Sequence, residues 1–221
     1  MAGFTGFNPS AVQSNVIAFE DTGTIIYNDL TYYNKLLIDS LSKVWFSPYA
    51  VAFGTEYTPI LYRSQALVKQ LVNNTIVDCV SAYNAIATSN GYPTYADGHT
   101  KIGLEDYAPN GTNEGYLDMQ DISPEGVVGM DDKKVTAYMQ EYKNYINTVL
   151  TELDQFPMNI AFYDPNGELL AAFQSQITNI KETLETNFRS MEATISSRLD
   201  EEAKLVVEGA RTAAGELSTG N

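Results

Sequence analysis

The sequence holds 221 residues with 28 Asp+Glu against 13 Lys+Arg, a formal net charge of −15, and its 44% hydrophobic content is enough to build a core. That acid excess argues against binding a nucleic-acid backbone or docking on anionic lipid, both of which need clustered cations. A single cysteine, Cys79, and a single histidine, His99, rule out an internal disulfide framework, a multi-cysteine zinc site and any centre built on a histidine pair.

The first ten residues have neither the basic nor the apolar region of a Sec signal peptide, and no window reaches 18 apolar residues, so no membrane span is expected. The cytoplasm is the default location, unless export uses a route that reads folded helices. From residue 9 to 44 apolar residues recur in steps of three and four: Val12, Val16, Phe19, Ile26, Leu30, Tyr33, Leu37, Leu41 and Val44, with Gly23 in the one gap. This predicts an amphipathic helix of roughly 50 Å, started by Asn8-Pro9-Ser10. Ser47-Pro48 caps a second helix after a turn of two or three residues, which makes the pair an antiparallel hairpin. Pro59 is expected to kink or restart that helix, with Thr58 as a second cap. The stripe continues through Leu61, Leu67, Val68, Leu71, Val72, Ile76 and Cys79, an inert core thiol on this reading, until Asn90-Gly91 ends the helix.

Residues 90–132 carry one basic and nine acidic residues and hold seven of the 15 glycines; they read as a long acidic linker. A second hairpin follows. Asp131 or Asp132 caps a helix bearing Val135, Tyr138, Met139, Tyr142, Ile146, Val149, Leu153 and Phe156, and Phe156-Pro157 stops it. Asp164-Pro165-Asn166-Gly167 signals a turn. The last helix carries Leu170, Phe173, Ile177, Ile180, Leu184, Phe188, Met191, Ile195, Leu199, Ala203 and Val206, with Gly209 and Gly215 in a fraying tail. The expected fold is all-α: hairpins at 1–89 and 133–221, joined by a loop at 90–132 and packed as an elongated four-helix bundle.

The only tryptophan, Trp45, falls in the first turn, between two long helices. A ring at a hairpin apex has packing on one side and water on the other, so a half-buried indole is expected. From Leu41 to Phe53, and more widely over residues 8–89, the chain resembles the WXG100 (ESAT-6-like) proteins, small acidic helical hairpins exported without Sec leaders by type VII secretion systems. The family's turn reads Trp-x-Gly; here it is Trp45-Phe46-Ser47, followed by Pro48. None of the 15 tyrosines has an acid four residues later, the spacing of the family's export signal. The resemblance implies a secreted protein that works through protein partners: another helical hairpin, a second copy, or a secretion ATPase or chaperone. On that reading Trp45, Phe46, Ser47 and Pro48 form the partner-recognition turn.

No catalytic constellation emerges, and no enzyme activity or cofactor is expected. His99, in Asp97-Gly98-His99-Thr100, lacks a nucleophile motif and reads as an exposed loop residue. The loop acids Asp97, Asp106, Glu114, Asp118 and Asp121 lack the spacing that wraps a calcium ion. Asp200-Glu201-Glu202 reads as a solvated helix face. A tyrosine-rich, site-free chain with a long loop also fits a structural subunit of a virion or a surface array.

Overall fold

The computed structural model describes residues 9–91, 94, 118–159 and 168–219. The loop around His99, the 164–167 turn, Asn8 and the side chain of Cys79 lie outside the described residues. Helix α1 spans Pro9–Leu41, strand β1 Trp45–Phe46, α2 Pro48–Ser89, β2 Gly129–Met130, α3 Asp132–Asn159 and α4 Glu168–Thr219. The protein is a helical bundle, as its apolar periodicity predicts, with one antiparallel ladder added at the first turn.

Around the bundle the neighbours are α1–α2, α2–α4, α4–α3 and α3–α1. Both hairpins are antiparallel, and so are the contacts between them. Phe19 near the start of α1 meets Phe156 near the end of α3. Tyr57, early in α2, meets Ser190 and Thr194 midway along α4, and Ser64, further along α2, meets the earlier Asn187. The core is one continuous aliphatic and aromatic seam from Phe19, Phe156 and Phe173 at one end to Trp45 at the other.

Polar rungs cross this seam and hold its register. Asn34 is fully buried; its Nδ2 donates to the Leu61 carbonyl at 3.2 Å, and its Oδ1 accepts the Tyr142 hydroxyl at 2.7 Å. One side chain thereby ties α1 to α2 and α3. Asn187 of α4 donates to Ser64 of α2 at 3.0 Å. A one-turn slip of any helix would leave these groups buried and unpaired, at about 1–3 kcal/mol each. Acids are placed less favourably: burial and the neighbouring Asp29 hold the Glu152 carboxyl above its ordinary pKa.

Gly23 lets α1 and α2 approach closely. A Cβ there would lie 2.3 Å from Val72 Cγ2 and 3.0 Å from Cγ1. Gly23→Ala gains about 1 kcal/mol of helix propensity, but overpacking costs about 1–3 kcal/mol. Because both Val72 methyls lie in the way and Val72 is itself fully buried, the expected net result is destabilisation in urea unfolding. Adding Val72→Ala should recover part of that loss; a further additive loss would show that this contact does not set the spacing.

Four expectations are corrected. Pro59 does not interrupt α2, which runs unbroken from Pro48 to Ser89. Buried Tyr57 and Leu61 on either side pack against the neighbouring helices, and the carbonyl that loses its amide partner belongs to exposed Thr55. Pro157 does not stop α3, which continues to Asn159. The first helix ends at Leu41 rather than residue 44, because residues 45 and 46 pair with β2. Residues up to Thr219 are helical rather than frayed. Two capping expectations hold: Ser47 Oγ accepts the Ala50 amide at 3.2 Å, and Asp131 Oδ1 accepts the Lys134 amide at 3.1 Å.

Candidate functional site

The first turn is built as a knot. Ser42 to Val44 turn the chain out of α1, and Trp45 and Phe46 pair with Met130 and Gly129. The Asp131 amide extends this ladder by donating to the Val44 carbonyl at 2.9 Å. Residues 118–131 therefore form a strap folded over the apex. Met119 is 5% exposed and seats against Gly54 of α2, where a Cβ would approach its Cγ to 2.7 Å.

Under the strap Trp45 is fully buried. Its ring lies 5.3 Å from Phe53, which lies 4.7 Å from Tyr57, an aromatic run down α2. The indole Nε1 donates to Ser47 Oγ at 3.0 Å and to Glu202 Oε1 at 3.1 Å, and Ser47 Oγ donates to the same carboxylate oxygen at 2.7 Å. Ser47 has one proton, given to Glu202, so its lone pairs receive the indole and the Ala50 amide. Glu202 Oε2 is buried with no hydrogen-bond partner. One turn earlier on α4, Arg198 pairs with Glu201 and lies 4.5 Å over the Tyr49 ring, which closes the side of the knot.

A hydroxyl bonded to a carboxylate has the outline of an activated nucleophile. Ser47, however, is only 3% exposed, and its lone pairs are committed to the indole and the helix cap, so no substrate atom reaches it. The arrangement fastens α4 to the start of α2. Among the described residues no group of three or more His, Cys, Asp or Glu could hold a metal ion, and no helix is long and apolar enough to cross a membrane.

The expected recognition turn is thus divided. Trp45 and Ser47 are inside, Phe46 is half-buried, and Pro48 is exposed. The half-buried indole is corrected to a buried one, because strand pairing with Met130 and the approach of α4 through Glu202 cover the apex that a bare hairpin leaves open. Glu202 is corrected from a solvated face to a partner of Trp45. A signal for it exists, since residue 202 stands seven after Ile195 and three after Leu199 and so falls on the apolar stripe. The strap's own apolar residues, Met119, Ile122, Val127, Val128 and Met130, had no such signal. No family model, curated protein or solved structure matches this chain.

Proposed function

We propose that the chain is a non-catalytic helical interaction protein of the WXG100-like kind, exported by or associated with a type VII secretion system. The observation that carries this reading is the tryptophan turn joining two long antiparallel helices, backed by a second hairpin in the same chain. With Trp45 and Ser47 inside, the apex offers a partner Pro48, the edge of Phe46 and the outer face of the strap. The test is export. In the source organism, deleting the type VII ATPase should remove the protein from the culture medium while its cellular level persists. Unchanged abundance outside the cell would sink the secretion reading and leave the fold untouched.

A second reading, a subunit of a virion or surface array, is favoured by the far end of α4. Glu202 sits at the apex, so the residues that follow run past it, and Leu205 and Val207 are about half exposed there. Light scattering after size exclusion separates the two readings. Large ordered oligomers at micromolar concentration support an assembly subunit, and a discrete monomer or dimer opposes it.

A further inference from the structure

We infer that the outer face of the strap is a docking surface for a cationic, aliphatic segment of a partner protein. This rests on the reading of the chain as an interaction protein and specifies the partner's chemistry.

The strap has two faces. Met119 and Ser123 point in, at 5% and 6% exposure, while Ile122, Val127 and Val128 point out, at 50%, 59% and 61%. The outward face is a built shape. The Ser123 amide donates to the Val127 carbonyl at 2.9 Å, the Gly126 amide to the Ser123 carbonyl at 2.9 Å, and Ser123 Oγ accepts the Glu125 and Val127 amides at 3.2 and 3.0 Å. Gly126 closes the turn at φ +78°, a conformation that suits glycine. This clamp sets Ile122 on one limb and Val127 and Val128 on the other, side by side. Three outward aliphatic side chains on one tight turn add little to the core and form an apolar patch of the kind that marks a contact site.

The rim names the occupant. The strap carries Asp118, Asp121 and Glu125 with no Lys or Arg among residues 118–130, while at its α3 end Asp131 and Asp132 are followed by Lys133 and Lys134. All five are exposed, and among the described residues only Asp131 has an ion-pair partner, Lys134. An apolar centre flanked by the exposed carboxylates of Asp118, Asp121 and Glu125 complements aliphatic side chains flanked by Lys or Arg, with those acids steering approach and excluding wrong partners. A second copy of this chain fits poorly, because the same carboxylates would meet face to face. Nucleic acid and anionic membrane carry the wrong charge.

The experiment uses the full chain, labelled with 15N and titrated with three synthetic peptides: alternating Lys/Leu, alternating Lys/Ser and alternating Glu/Leu. The Lys/Leu peptide should give saturable amide shifts concentrated in residues 118–131. The Lys/Ser and Glu/Leu peptides should bind at least tenfold more weakly. The surface double variant V127S/V128S, with its fold checked by circular dichroism, should weaken the Lys/Leu peptide at least tenfold. D121N/E125Q should weaken it and flatten its salt dependence. Equal binding of Lys/Ser and Lys/Leu, or shifts spread over the helices, would overturn the inference. So would concentration-dependent shifts in the strap without peptide, which would make a second copy the occupant. Failure here leaves the export test standing, and failure of export leaves this binding measurement intact.

Discussion

Trp45→Ala is expected to destabilise the protein by about 3–5 kcal/mol, the range for removing a large buried ring. At roughly 2–4 °C per kcal/mol for a chain of this size, the melting temperature should fall by roughly 6–20 °C. Two losses combine. A cavity opens between α2 and α4, where Phe53 loses one of its two ring partners. Glu202 also loses the indole donor, while its second oxygen is already unpartnered. Trp45→Phe separates the terms: it keeps most of the ring but deletes the donor, and should cost about 1–3 kcal/mol. Urea unfolding followed by far-ultraviolet circular dichroism measures both variants, since the only tryptophan is gone. In the unaltered protein the indole emission should be blue-shifted and resist acrylamide. A readily quenched indole, or an alanine variant as stable as the parent, would mean that the strand pairing and α4 do not cover the ring in solution. The recognition role for Trp45 itself would then return.

What could be read from the chain depended on whether the cause was local. Steps of three and four along Phe19, Ile26, Leu30, Leu37 and Leu41 mark a buried helix face without reference to anything else. Ser47 and Asp131 announce helix starts through their own short side chains. Trp45 lies at the opposite extreme. Its burial is decided by residues far along the chain: Met130, in a stretch whose glycines and acids resemble any linker, and Glu202 of α4. Pro59 shows the same limit. A proline inside a helix costs about 3 kcal/mol, which decides the matter only when little else holds the helix. Here Tyr57 bonds α4 and Leu61 receives Asn34, so packing on both sides outweighs the penalty. Glu202 stands between these cases. Its stripe position was visible, but an acid on a stripe cannot be told from a solvated one until its donor, 157 residues away, is known.

The opposite end of the bundle has a different weak point, and Phe19→Ala tests it. Phe19 of α1 is fully buried against Phe156 of α3 at 4.6 Å, edge to face, and against Phe173 of α4 at 5.1 Å; Phe156 and Phe173 stack at 5.8 Å. The expected cost is again about 3–5 kcal/mol for the cavity, and up to about 0.5–1.5 kcal/mol of it for each aromatic pair lost. The nearby Lys181–Asp154 pair joins α3 to α4 on the surface, where such pairs contribute about 0–1 kcal/mol. It cannot replace the rings. The apex, by contrast, keeps its strand ladder, its Trp45–Ser47–Glu202 bonds and its strap in this variant. Loss should therefore be uneven, because stability is distributed in local units. Amide exchange should quicken at the start of α1, the end of α3 and the start of α4, while Trp45 emission stays blue-shifted at denaturant concentrations where helix content has begun to fall. In the unaltered protein the two signals should coincide more closely. If exchange quickens equally at the apex, the bundle opens as a single unit and the two ends are not separable in this way. If exchange and stability are both unchanged, the three rings do not tie the helices together.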